Sequence, residues 1–354
     1  MSSLPPFRPV YWLRNAHLQS ILPSLPPRLL LTRRGARPLR RAAQAWLLDC
    51  GAGVRLQAWH SLHPSPNGRV AVLLHGWEGS YESNYVLSLG ATLYARGYHV
   101  VRLNLRDHGG TQNLNQGLFH SCRLSDVTGA LRALAEHCGD MPLYLAGFSL
   151  GGNFLLRAAA EPRLPATVRG VVAISPVLDP ARTLTALERG WRLYHRYFVE
   201  RWSRSLRIKQ RLWPSDYDFT ALLRSRDLRH MTAELVRAHT QFPDIAAYLD
   251  GYALLGARLS TLSVAASILA AADDPIIPVG DLERLAASRH LSILRTAHGG
   301  HCGFLRTLLA PGFADQYTCE QFEHFVHAES AVAHDDVLLA RKAPASSLTS
   351  IVST

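Results

Sequence analysis

The clearest chemistry in the chain sits in five residues, Gly147-Phe148-Ser149-Leu150-Gly151. A serine with glycine two positions away on either side suits a sharp strand-to-helix turn, because small residues there let strand and helix pass closely. The flanks agree with that geometry. The β-rich run Leu143-Tyr144-Leu145-Ala146 precedes the serine, and Gly152-Asn153-Phe154-Leu155-Leu156 follows it with helical character. A serine held this way is a nucleophile, and the unpaired N–H groups of the following helix point toward the oxyanion its attack would create.

Serine is a weak nucleophile until a base takes its proton. The base is expected after the last strand, where the sequence reads Ala297-His298-Gly299-Gly300-His301-Cys302-Gly303-Phe304. His301 is favoured over His298, because glycines on both sides suit a loop that must bend over the serine. The base needs a carboxylate to fix its tautomer, and the expected chain order is serine, acid, histidine. Asp273-Asp274-Pro275 follows an apolar run and lies between the two, with Asp274 favoured, Asp273 second and Asp179 a third position. Two backbone N–H donors should face the oxyanion, those of Leu150 and Trp77, the latter just beyond His75-Gly76. His75, Gly76, Gly147 and Gly151 read as structural members of these turns.

These residues need a scaffold that brings 149, 274 and 301 together. Short apolar runs at 43–49 and 54–60 flank Gly51-Ala52-Gly53 and read as a hairpin. Buried strands are expected at 69–75, 98–105, 143–146, 168–174, 263–270 and 291–294, alternating with helices at 83–96, 125–138, 150–160 and 313–328. Ser125 is expected to cap its helix. Alternating strands and helices imply a mostly parallel central sheet covered on both faces. Residues 177–262 break the alternation. They are rich in Arg, Trp and Tyr, show no strand pattern and read as several short helices, a helical cap inserted above the sheet. Residues 1–40 read as an arm over the core, 41–176 and 263–330 as the core itself, and 331–354 as a flexible C-terminal tail.

Composition limits the alternatives. The 354 residues are 47% hydrophobic and 18% charged, which suits a globular fold rather than a disordered chain. The five cysteines are odd in number and lack CxxC spacing, so neither a disulfide framework nor a zinc site is expected, and a reducing cytoplasm fits best. The N-terminus has no secretory pattern, and no apolar run approaches the roughly 20 residues of a membrane helix. The net charge of +11 comes from 38 basic residues, all arginine except Lys209 and Lys342. That excess invites contact with an anionic membrane surface. No nucleic-acid motif accompanies it, so biased codon usage is the simpler reading and no nucleic-acid partner is expected.

The arm Phe7-Arg-Pro-Val-Tyr-Trp-Leu-Arg-Asn-Ala-His17-Leu-Gln-Ser-Ile21 and the segments 74–80, 146–153, 273–275 and 299–304 resemble the YheT-like branch of the α/β-hydrolases. The resemblance covers roughly residues 7–328. It implies the α/β-hydrolase fold and carboxylesterase activity, with lipid-acting relatives, and it carries Ser149, Asp274 and His301 over as the triad. The departure lies in the cap, where the branch has a Phe-Asp-Asp type segment and this chain reads Leu235-Val-Arg-Ala-His239-Thr-Gln-Phe242. The expected activity is hydrolysis of a small-molecule carboxylic ester, short- to medium-chain or lipid, through an acyl-enzyme. No cofactor or metal is expected. Thioester hydrolysis and C–C cleavage use the same groups, and a non-catalytic binding protein on this scaffold is the reading from another class. Arginines near an apolar cap suggest an acyl chain with an anionic head group.

Overall fold

A computed structural model describes residues 5–309 and 311–342, the stretch 329–342 as backbone alone. Eight strands form one sheet in the order β1-β2-β4-β3-β5-β6-β7-β8. The hairpin strands β1 (Ala43–Asp49) and β2 (Arg55–Ser61) are antiparallel, and β2 runs antiparallel to β4 (His99–Leu103). From β4 onward every neighbour is parallel: β3 (Val70–Leu74), β5 (Leu143–Phe148), β6 (Val168–Ile174), β7 (Ala265–Ala271) and β8 (Leu291–Thr296). This is the mostly parallel sheet expected, and it is the α/β-hydrolase architecture.

The central strands are apolar on both faces because both faces are covered. Along β3, Val70, Val72 and Leu74 enter one core, while Ala71 and Leu73 enter the other. The first core is closed by α5 (Leu124–Cys138), α6 (Leu150–Ala159) and the cap. The second is closed by α3 (Arg37–Arg41), α4 (Asn84–Tyr94) and α11 (Phe313–Lys342).

The arm is helical, with α1 (Ala16–Ile21) and α2 (Pro26–Gly35) leading into α3. Between β6 and β7 lie α7 (Pro180–Arg189), α8 (Arg192–Leu212), α9 (Leu228–His239) and α10 (Ile245–Asp250), with no strand among them.

Three local expectations need correction. Ser125 does not cap α5, which starts one residue earlier at Leu124 with no side-chain cap. Asp126, in the first turn, supplies the favourable negative charge there and pairs with Arg106 at 2.7 Å. The cap is not made only of short helices, since α8 has 21 residues. The last helix does not stop near 328. It continues to Lys342, so helix occupies the first part of the tail expected from 331, and 343–354 lie outside the described residues.

No helix among the described residues is long and apolar enough to cross a membrane.

Candidate active site

Non-glycine residues with positive φ gather where the parallel strands end. Glu78 follows β3, Asp107 follows β4, Ser149 follows β5, Ser175 follows β6, and Cys302 and Phe304 follow β8. Such conformations cost energy and persist only where the surroundings enforce them. Here they turn one loop after another toward a common point at the carboxyl ends of the sheet, where open α/β sheets bind ligands.

Ser149 sits between β5 and α6 with φ 51° and ψ −117°. Its N–H donates to Ile174 O at 2.9 Å, and its carbonyl accepts from Asn153 N at 3.1 Å. The two glycines of the pentapeptide make the turn sterically possible. A Cβ on Gly147 would lie 2.6 Å from the Gly151 carbonyl, and one on Gly151 would lie 2.4 Å from His75 O. Gly76 likewise approaches Ser149 closely, since its Cβ position is 3.1 Å from the serine's own Cβ.

The structure brings Ser149, His301 and Asp274 together. His301 Nε2 is 3.0 Å from Ser149 Oγ, and Nδ1 is 3.0 Å from Asp274 Oδ2. Asp274 Oδ1 accepts the backbone N–H groups of Ile276 (2.8 Å) and Ile277 (3.0 Å), which fixes the carboxylate. Burial penalises the His301 imidazolium, but the Cys302 sulfur and the Asp274 carboxylate outweigh it and hold the pKa well above the ordinary value.

The alternatives are occupied elsewhere. His298 faces Asp273 at 3.5 Å and is half exposed, and Asp273 accepts the Gly300 N–H at 2.9 Å. Asp179 caps α7 through Ala181 N and Arg182 N and pairs with Arg284 at 2.5 Å.

The backbone N–H groups of Trp77 and Leu150 donate to no acceptor among the described residues. His75 is fully buried, its Nδ1 bonded to Gly76 O at 2.7 Å and its Nε2 accepting Leu105 N–H at 3.1 Å. Burial, with His108 nearby, pushes its pKa down to about 3, so it is a neutral pin that fixes the Trp77 loop. The hydroxyl of Tyr85 accepts the Gly76 N–H at 3.1 Å and steadies the same turn.

The sequence reading missed the support that the arm gives to the histidine loop. Ser20 Oγ accepts the His301 N–H at 2.8 Å. Gln19, wholly buried, donates from its amide to Leu13 O (2.7 Å) and Leu305 O (2.9 Å) and accepts from Leu305 N (2.7 Å). Gly300 and Gly303 are needed because their Cβ positions would strike the arm backbone, at 2.4 Å from Ala16 O and 2.1 Å from Gln19 O. The only hint in the sequence was the HLQSI pattern, which carried no indication of its distant partner.

The cap is anchored by another contact the sequence did not reveal. Lys209, on α8, is 1% exposed and donates to Asp107 Oδ1 at 2.9 Å, Asn115 O at 2.5 Å and Gln112 O at 3.3 Å. A compact ammonium meets converging oxygens where a planar guanidinium would not, which explains a lysine in so arginine-rich a chain.

Between cap and core lies an apolar pocket reaching Ser149, Leu150 and Trp77. Phe198 and Trp202 of α8 pack on the Trp77 ring, at 5.2 and 5.3 Å between centroids. Among the described residues, no Asp, Glu, Lys or Arg lines the pocket. The expected arginine beside an anionic head group is therefore not part of this wall. Among the described residues no group of three His, Cys, Asp or Glu side chains is placed to hold a metal, and all five cysteines are free thiols.

Comparison with known proteins agrees with this architecture. The family model described as alpha/beta hydrolase fold matches residues 70–306. The chain is 28% identical over 326 residues to the Escherichia coli (strain K12) protein named "Putative esterase YheT", covering 88% of this chain and 90% of that one. It is also 28% identical over 334 residues to human Protein ABHD15, covering 89% and 68%. Among solved structures, the Pyrococcus furiosus esterase Pf2001 superposes with a TM-score of 0.51 at 15% identity, covering 81% of this chain and 90% of that one. A membrane phospholipase A, described as a bacterial virulence factor, superposes at 0.52 with 19% identity, covering 88% and 94%. Likenesses of this degree reflect a shared fold.

Proposed function

The chain belongs to the alpha/beta hydrolase fold family, and from that premise we propose that it is a serine hydrolase of carboxylic esters working through Ser149, His301 and Asp274. The observation that carries this reading is the unbroken contact chain from Asp274 Oδ2 through His301 to Ser149 Oγ, at 3.0 Å for each link, opening on an apolar pocket.

His301 Nε2 takes the proton as Ser149 Oγ attacks the ester carbonyl. Asp274 holds the ring by Nδ1 and stabilises the imidazolium that forms. The carbonyl oxygen gains charge and is met by the N–H groups of Trp77 and Leu150. One such donor is typically worth about 3 kcal/mol in the barrier. Collapse expels the alkoxide, which takes the proton back from His301 and leaves an acyl group on Ser149. Water, deprotonated by the same imidazole, then releases the acid and restores the serine. Each step uses groups of this chain and water alone.

The test needs no knowledge of the natural ester. Wild-type protein, Ser149→Ala and His301→Ala are incubated with a fluorophosphonate probe, and the labelled peptide is mapped by mass spectrometry. Labelling at Ser149 that is lost in Ser149→Ala and slowed in His301→Ala is expected. A folded wild-type protein that is not labelled, and hydrolyses no member of an ester panel, would refute the reading in favour of a binding protein on a hydrolase scaffold.

A further inference from the structure

The pocket beside Ser149 is apolar along most of its wall, with Leu184, Leu187, Leu228, Leu235 and Ile276 among its lining residues. Some of the buried polar groups in its wall are paired within the protein. Thr232 Oγ1 donates to Leu228 O at 2.7 Å, and Tyr248 Oη accepts the Ser121 N–H at 3.0 Å. Two are not. Among the described residues, His120 Nδ1 and Thr183 Oγ1 are buried and have no hydrogen-bond partner. Their residues are 6% and 8% exposed, and both line this pocket.

The two atoms come from different parts of the fold. His120 lies in the core loop that leads into α5, its ring against Phe242 and Tyr248. Thr183 lies on α7 of the cap. A buried polar atom without a partner costs stability, and a side chain of similar shape without the polar atom would avoid that cost. Two such atoms on residues that wall one cavity, one from the core and one from the cap, have the character of a recognition site awaiting its ligand.

The chemistry of the ligand follows from the chemistry of the pair. Among the described residues no charged side chain lines the pocket, so a carboxylate, phosphate or ammonium would have no direct ion-pair partner in its wall. Burial and the nearby Arg123, Arg106 and Arg157 push the His120 pKa down to about 3, so the ring is neutral. A neutral imidazole nitrogen and a hydroxyl suit a neutral group that accepts or donates one hydrogen bond.

We infer that the pocket takes an ester arm bearing a neutral oxygen function part-way along an otherwise apolar chain, a hydroxyl or keto group, recognised by His120 Nδ1 and Thr183 Oγ1. This inference rests on ester hydrolysis at Ser149. Its specificity has a clear physical basis. An apolar pocket discriminates weakly between chains, whereas a site with buried hydrogen-bonding atoms rejects the analogue that leaves them unpaired.

The experiment measures kcat/KM for 4-methylumbelliferyl octanoate and for the same ester carrying one hydroxyl or keto group moved stepwise from C3 to C8. A second series places the hydroxyl on the alcohol, using octyl and hydroxyoctyl butanoates, and so identifies which arm fills the pocket. At the best position the oxygenated ester is expected to exceed its plain parent by at least about tenfold. In His120→Phe that ratio should fall to near one, and in Thr183→Val it should fall several-fold. Thr183→Val keeps the shape of the side chain and serves if His120→Phe fails to fold.

Wild-type protein that hydrolyses the plain esters and is labelled at Ser149, yet shows a ratio near one at every position in both series, would overturn this inference and leave the ester reading intact. Loss of both labelling and hydrolysis would instead remove the reading beneath it. A preference that survives in both variants would also overturn the assignment to these two atoms.

Discussion

Replacing Gln19 by leucine changes little volume but removes all three side-chain hydrogen bonds at that point, two joining the arm to Leu305 and one within the arm to Leu13. Leu305 N–H, Leu305 O and Leu13 O lose their partners at 2.7, 2.9 and 2.7 Å in a site with no solvent exposure. Each buried backbone group left unpaired costs about 1–3 kcal/mol. The losses are not additive, because the arm can shift enough to admit water. A net destabilisation of about 3–5 kcal/mol is the expected outcome. The same change loosens the loop that carries His301, whose N–H is held by Ser20 one residue further along the arm. A displacement of about 1 Å at a reacting group can cost roughly 100-fold in rate. Urea unfolding followed by tryptophan fluorescence measures the first effect. The second-order rate of fluorophosphonate labelling of the folded variant, expected to fall 10- to 100-fold, measures the second. Stability within about 1 kcal/mol of wild type, together with labelling within about twofold, would refute the view that the arm braces the histidine loop.

The kcat/KM profile should rise with pH through a limb above the ordinary histidine value of about 6.5, because the base works only when deprotonated and Cys302 and Asp274 raise its pKa. In Asp274→Asn that limb should move down while kcat/KM falls roughly 10³- to 10⁴-fold. Glu78, beside Trp77, has a carboxyl that burial pushes up to about 7, against an ordinary value of 4.5. The folded protein therefore keeps a proton that the unfolded chain releases, and stability falls as pH rises from about 4.5 to about 7 and is level above that. Glu78→Gln removes this loss, so urea unfolding should show the variant gaining about 1–3 kcal/mol on wild type between pH 5 and pH 8. An equal offset at both pH values would show that Glu78 titrates normally. Lys209→Met leaves Asp107 buried without its counter-charge and should cost about 3–5 kcal/mol in the same assay. Lys209→Arg should recover little of it, because the planar fork cannot replace one ammonium among converging oxygens.

What the sequence determined by itself was local or ordered along the chain. The pentapeptide at 147–151 is readable because the turn it makes is a steric problem within a few residues. The alternation of apolar runs and helical segments gives the parallel, twice-covered sheet, because hydrophobic period reports burial directly. The chain order of 149, 274 and 301 follows from where strands end. Helix limits were less legible. Ser125 had the composition of a cap, but α5 starts at Leu124 without a side-chain cap and carries Asp126, paired with Arg106, in its first turn.

Only the tertiary structure decided which distant groups would meet. Gln19 and Leu305 are 286 residues apart, and nothing in their neighbourhoods announces the pairing. Lys209 reads as one more cation in a basic segment until α8 folds back over Asp107. His120 and Thr183 read as an ordinary loop histidine and an ordinary helical threonine. They converge on one pocket because the cap closes over the sheet, and the same closure leaves that pocket without a charged wall. The physical reason is common to all of these. Sequence pattern encodes which surfaces must be buried, whereas the partner of a buried polar atom is fixed by packing between elements that share no local signal.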